Sequence, residues 1–173
     1  GVDPQKIVTS YIGTCFAQHQ LGHSIASPKI PFTIAYLGYK RIDKGFFFLI
    51  DALSKLAPET ASKIKVVLAV ANVSVDDYQE KLKNFAEVVV HNGYTHEQLP
   101  FILKDVHLGI VPVLWEDNLP QIAIEMVACG VPVLCSSFGG ASELCNSDLF
   151  KFAGGNEESL LERLRMFVEK PGL

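Results

Sequence analysis

Residues 115–140 read WEDNLPQIAIEMVACGVPVLCSSFGG. An acidic turn, Glu116-Asp117-Asn118, stands just before an amphipathic segment that begins at Pro120. A second carboxylate, Glu125, lies inside that segment, Gly130 closes it, and an apolar run opens into Gly139-Gly140. Proline suits a helix start because the N–H it lacks has no intrahelical partner there. The stretch therefore predicts a helix over 120–129 and a short buried strand over 132–135. A helix N-terminus is a ready site for phosphate, because its first amides are unpaired and the helix dipole favours negative charge. Carboxylates beside it can hold hydroxyls.

Working outward, strand-like and helix-like segments alternate. Phe32–Leu37 is a short apolar run that ends at Gly38, and helix-spaced apolar residues follow over 45–56. Lys65–Val70 is apolar and rich in valine. Ser74 reads as the N-cap of a helix reaching Phe85. Glu87–Val90 is a third strand. Thr95-His96-Glu97-Gln98 has the hydroxyl-to-amide spacing of a capping box and starts another helix. His107–Val113 is the next strand, Leu149–Phe152 a last one, and 157–169 a closing helix. The strands are continuously apolar rather than alternating, which is how strands covered on both faces read. The expected fold class is α/β: a doubly wound, mostly parallel, Rossmann-like sheet of about six strands with helices on both faces. Ligands in such sheets sit beyond the carboxyl ends of the strands at the switch point. Gly38, Gly93 and Gly139-Gly140 each follow a strand, where that rule puts a ligand. Residues 1–31 lack a sustained period and read as a lead-in segment, with a short helix over 11–20; the domain proper is 32–173.

A chain of 173 residues can bury one full core. Its net charge of −4, with acids and bases intermixed, carries no basic footprint for nucleic acid. No stretch reaches the ~18 to 20 apolar residues of a membrane span, and the expectation is a protein without a signal peptide. Cys15, Cys129, Cys135 and Cys145 have no zinc-ligand spacing and read as reduced thiols of a cytosolic protein. The five histidines share no metal-binding helix face, and His107 reads as structural. There is no GxSxG elbow, no GxGxxG and no P-loop.

The candidate chemistry gathers at three places. Asp117 lies in the loop before the helix, and Glu125 about one and a half turns inside it. Two carboxylates at different depths can bind hydroxyls at two ends of a long ligand, while the amides of Asn118, Leu119 and Gln121 face a phosphate. The alternative is that Asp117 only caps the helix and Glu125 is a solvated or core-edge charge. Lys40, Arg41 and Lys44 follow the first strand, where a fixed cation can neutralise a diphosphate and stabilise it as it departs. Lys44-Gly45 opens a helix, where a lysine opposes the helix dipole, so another reason for it is expected. Asn92-Gly93-Tyr94 follows the third strand, and Tyr94 can lie against a base or pack a turn. Trp115 reads as packing. Together these features suggest a pocket for a nucleotide-sugar.

At these residues the chain resembles the C-terminal, donor-binding half of a GT-B glycosyltransferase of the retaining group called family 4 or group 1. YLGYKRIDKGFFFLIDAL is similar to that family's glycine-to-KG phosphate segment, VVVHNGYTHEQLPFILKDVHLGIVPVLWED to its base-side loop and the elements after it, and DNLPQIAIEMVACGVPVL to its two-acid motif. The resemblance implies that Glu125 holds ribose hydroxyls and that Asp117, where many members have glutamate, holds donor-sugar hydroxyls. It implies that Asn118, Leu119 and Gln121 contact phosphate or sugar through their amides, and that Lys44 binds the diphosphate. Gly38, Gly93 and Tyr94 complete the binding set. Many members carry an arginine after the first glycine; here Tyr39 stands in that place, and Lys40 or Arg41 substitutes.

The implied activity is transfer of a sugar from a nucleotide-diphosphate donor to a glycan or lipid-linked acceptor, in cell-surface polysaccharide synthesis. It would proceed with retention, without metal or other cofactor, and with the acceptor bound through an N-terminal domain absent from this chain. The isolated domain is then expected to be inactive. The expected location is cytoplasmic, with a peripheral position at the inner face of the membrane open to the full-length enzyme. Two rivals are a different GT-B enzyme such as a sugar-nucleotide epimerase, and a flavodoxin-like binding module. The second would place acids after the first strand, where this chain has Tyr39, Lys40 and Arg41.

Overall fold

In a computed structural model, residues 31–145 and 147–170 are described. The lead-in segment and its short helix lie outside these residues. The elements run β1 Phe32–Gly38, α1 Phe46–Ser54, α2 Pro58–Ala61, β2 Ile64–Val70, β3 Glu87–His91, α3 Leu99–Leu103, β4 Leu108–Val111, α4 Gln121–Ala128, β5 Val133–Ser136, β6 Lys151–Phe152 and α5 Glu157–Glu169. The strands form one six-stranded sheet in the order β3-β2-β1-β4-β5-β6, and every pairing is parallel. This is the doubly wound Rossmann order, and it puts the switch point between β1 and β4.

Alternation along the strands divides the core in two. Ile34 and Tyr36 of β1, with Val66 and Leu68 of β2, face α1 and α5 and pack on Phe46, Leu49, Leu53, Leu160 and Leu164. Ala35 and Leu37, with Val67 and Ala69, face the other way, toward Leu99, Leu103, Ala123 and Met126 of α3 and α4. Because both faces are covered, the central strands β1 and β2 carry apolar residues on both faces along most of their length. At the amino ends of the central strands β1 and β4 the Thr33 N–H donates to His107 Nδ1 at 2.8 Å, and burial lowers the pKa of that imidazole. Protonation would put two donors face to face. Stability held here is therefore lost as pH falls below histidine's ordinary range, and the histidine is structural.

Several boundaries differ from the expected ones for local reasons. The strand expected over 107–113 pairs only to Val111, since Pro112 has no N–H for the ladder. The last strand shortens to β6, preceded by a 3-10 turn at Asp148–Phe150. Thr95 and Gln98 do form a reciprocal capping box, on a 3-10 turn at His96–Gln98 that leads into α3. Pro120 stands one place before the helix it starts.

The helix expected over 74–85 is absent. Linked turns run there instead, closed by Tyr78 N–H to Val75, Leu82 N–H to Tyr78 and Phe85 N–H to Leu82. The apolar spacing is real, for Val73, Leu82 and Phe85 are buried. However, Asp77 takes the Ser74 N–H with its side chain at 3.0 Å. Most residues between the anchors are polar and exposed, so little burial offsets the cost of nucleating a regular helix.

Two predictions follow from the packing. Phe46 is fully buried and touches the rings of Tyr36, Phe47 and Tyr78; Phe46→Ala should cost about 3 to 5 kcal/mol in urea unfolding. Gly140 leaves no room for a methyl group, because a Cβ there would lie 1.7 Å from the Asn118 carbonyl oxygen. Gly140→Ala should cost about 2 kcal/mol or more in the same measurement, and an unchanged midpoint would refute the close approach.

Candidate donor-binding cleft

A cleft of about 470 Å³ opens at the carboxyl ends of β1 and β4, at the switch point. Its floor is Tyr36 to Gly38 and Ile110 to Val113; one wall is Gly93, Tyr94 and His96, and another is Leu119 to Ile122 with Glu125. Lys44 and Asp117 stand across its mouth, joined Nζ to Oδ2 at 2.5 Å. Both are largely shielded, so water screens this pair less than a surface bridge.

Three local devices set this geometry. Gly45 adopts φ 75°, and a side chain there would lie 1.7 Å from the Pro112 carbonyl oxygen, so the β1–α1 loop can fold directly onto the loop after β4. The Leu114 N–H then donates to the Asp43 carbonyl at 2.9 Å. Tyr36, buried at the end of β1, donates its hydroxyl to the Tyr39 carbonyl at 2.9 Å and lies 3.4 Å from the Lys44 carbonyl. Burial raises the pKa of this phenol, so it stays a neutral donor. These contacts hold the lysine backbone while its ammonium reaches Asp117 and lies 5.4 Å from the centre of the Trp115 ring. Trp115 is therefore not the packed residue expected: it is 49% exposed and faces the cation.

The acidic turn is braced from behind. The Gly139 N–H donates to Glu116 Oε2 at 2.8 Å and the Gly140 N–H to the Asp117 carbonyl at 2.8 Å. Gly139-Gly140 thus buttress the turn and do not line the cleft. Behind Asp117 the N-terminus of α4 carries no side-chain cap and no acid in its first turn; the Ala123 N–H donates to the Pro120 carbonyl at 3.0 Å, and the Gln121 and Ile122 amides are left to solvent or ligand among the described residues. Glu125 is 3% exposed yet lines the cleft. Its Oε1 accepts from Gln121 Nε2 at 2.8 Å and lies 3.2 Å from His96 Nδ1; Oε2 has no partner among the described residues. Tyr94 is half-buried beside it, its pKa pushed up to about 12 by burial first and the Glu125 charge second.

Of the residues singled out from the sequence, Gly38, Lys44, Gly93, Tyr94, Asp117, Leu119, Gln121 and Glu125 line one cleft. Lys40, Arg41 and Asn118 do not. Lys40 lies over the Tyr78 ring at 5.6 Å, Arg41 pairs with Asp43 at 2.9 Å, and the Asn118 carbonyl backs onto Gly140. Tyr36 and His96 are additions: Tyr36 looks like an ordinary strand residue and His96 like a helix-start residue until the loops are folded together.

Comparison with known proteins agrees with this architecture. The sequence pattern of the family described as Glycosyl transferases group 1 matches residues 31–170. The phosphatidylinositol N-acetylglucosaminyltransferase gpi3 subunit of Schizosaccharomyces pombe is 22% identical over 139 residues, covering 79% of this chain and 30% of that protein. The chain thus spans less than a third of that curated relative. Among solved structures, Anabaena Alr3699/HepE in complex with UDP and glucose aligns with a TM-score of 0.64 at 20% identity, over 82% of this chain and 40% of that one. The catalytic domain of the Helicobacter pylori cholesterol-alpha-glucosyltransferase aligns at 0.66 and 16% identity, over 82% and 88%. Sucrose-phosphate synthase of Thermosynechococcus elongatus aligns at 0.66 and 18% identity, over 94% and 41%. At these identities the structural likenesses establish the fold, while the family match spans most of the chain: the protein belongs to the group 1 glycosyl transferases.

Proposed function

We propose that this domain binds the donor of a glycosyltransferase that moves a sugar from a nucleotide diphosphate to a glycan or lipid-linked acceptor. One observation carries the reading: a buried carboxylate with one oxygen unpartnered among the described residues, a helix N-terminus without a side-chain cap and a shielded lysine converge on one cleft at the switch point. An anionic ligand with hydroxyls on both sides of its phosphates matches that sequence of groups. Glu125 Oε2 would accept from the ribose hydroxyls. The Leu119 amide in the loop before α4 and the Gln121 amide at its first position would meet the phosphates. Asp117, with one oxygen on Lys44 and the other without a partner among the described residues, would accept from the donor sugar.

Lys44 then has a defined chemical role. Cleavage of the sugar–phosphate bond leaves growing negative charge on the departing diphosphate. A cation already fixed in the cleft stabilises that charge with little reorganisation. Its other protons remain available to the phosphate while one is held by Asp117. Lysine and helix amides supply the charge compensation in this scheme, and no metal enters it. The neighbouring Anabaena Alr3699/HepE structures are complexes with UDP or UDP-glucose, which supports a nucleoside-diphosphate sugar as donor. The acceptor would be bound by a further domain, a view supported by the small share of the related chains that this one spans. No helix among the described residues is long and apolar enough to cross a membrane, and the full-length enzyme would work at the cytoplasmic face as a peripheral protein.

The tests use the full-length enzyme with a panel of UDP-, GDP- and dTDP-sugars. Glu125→Ala should lower kcat/KM by about 100-fold with an unchanged circular dichroism spectrum; activity near wild type would sink the role given to Glu125. Lys44→Ala should lower kcat by at least about tenfold, and EDTA should leave the wild-type rate unaltered. A strict dependence on added divalent ion would overturn the charge assignment.

A further inference from the structure

His96 stands on the wall opposite α4, on the turn that follows β3. The turn is held by its own hydrogen bonds, since the Thr95 N–H donates to Gln98 Oε1 at 2.9 Å within the capping box. From there His96 reaches across the cleft to place Nδ1 3.2 Å from Glu125 Oε1. The two side chains differ sharply in environment, the imidazole being 60% exposed and the carboxylate 4%. The same Oε1 accepts from Gln121 Nε2. A carboxylate touched by one partner can still swing about its last bond. Two partners from different elements hold it, and the remaining oxygen then points in one direction.

We propose that His96 is a positioning residue which, when protonated, pins Glu125 through Oε1 and so strengthens the preference of the cleft for a ribose over a 2′-deoxyribose. The inference rests on the reading of Glu125 as the acceptor of ribose hydroxyls. Several charged and titratable groups among the described residues stand near His96. Glu125 faces it from α4. On its own segment Glu97 is an exposed carboxylate held low by the Thr95 hydroxyl, and Tyr94 stays neutral up to about 12. Lys44 and Asp117 line the same cleft and are paired with each other. Imidazole is the side chain that changes charge between about pH 5 and 8. A cation at that distance would draw Oε1 toward it and hold the carboxylate in one orientation, with Oε2 turned to the hydroxyls.

The test measures the ratio of dissociation constants for 2′-deoxy-UDP over UDP, and for 2′-deoxy-GDP over GDP. Calorimetry on the full-length protein at about pH 5.5 and about pH 8.5 brackets imidazole titration. The ratio cancels protonation of the phosphates and of any group that does not reach the ribose. In the wild type the ribose form should win by about tenfold at low pH, and the ratio should fall about threefold at high pH. His96→Ala and His96→Asn, the second keeping a polar side chain without charge, should both flatten this dependence. Glu125→Gln should bring the ratio near unity. A wild-type ratio that does not change with pH, or a change that persists in both His96 variants, would overturn the proposal while the Glu125 reading stands. A ribose preference that survives Glu125→Gln, or no binding of any of the four nucleotides, would instead overturn the donor-site reading and take this inference with it.

Discussion

The loop after β1 and the loop after β4 meet at backbone level. Leu114 donates to the Asp43 carbonyl at 2.9 Å, and Gly45 sits so close to Pro112 that a methyl group would overlap the carbonyl oxygen. Parallel pairing of β1 with β4 brings the two strand ends together. Only a residue without a side chain lets the loops close on each other. The Lys44–Asp117 pair follows from that closure, as does the placing of Tyr36 beneath the loop. If these loops stood apart, lysine and aspartate would be two solvated charges on separate turns, worth little to each other.

The cleft also balances its charges before any ligand arrives. A buried carboxylate without a partner is costly, and Glu125 meets this by binding Gln121 one turn earlier on its own helix and His96 from the opposite wall. Asp117 is balanced by Lys44, and Glu116 is drawn out of the cleft to cap the Gly139 amide. Each of the three acids near this helix start thus has a different task. What stays without a protein partner among the described residues is one oxygen on each of Asp117 and Glu125, with the uncapped helix end between them. Those are the groups a phosphate flanked by hydroxyl-bearing rings can satisfy.

The alternation of elements was legible because each apolar run is bounded by a glycine, a proline or a cap, and because doubly covered strands are apolar throughout. The closing helix α5 has the expected bounds, with Asn156 accepting from the Ser159 N–H at its start. The segment 74–85 was misread for a clear reason. Its apolar residues recur at helical spacing, but spacing reports which residues turn inward, and linked turns with three buried anchors meet the same demand. Gly139-Gly140 was misread as well: a glycine pair after a strand can mean close approach by a ligand or by the protein's own backbone, and here it is the backbone at 117–119.

Taken alone, the sequence determined the fold class, most of the order of strands and helices along the chain, and most of the polar residues that line the cleft. These are properties of local period, capping and composition, and they act over a few residues. Tertiary structure alone decided which of the three cations after β1 turns inward, because Lys40 finds Tyr78, Arg41 finds Asp43, and only Lys44 meets a partner 73 positions away. It likewise decided that His96 faces Glu125 and that Tyr36 carries the loop. Such pairings depend on strand order and on the closeness of two turns, and no periodicity in the chain records either.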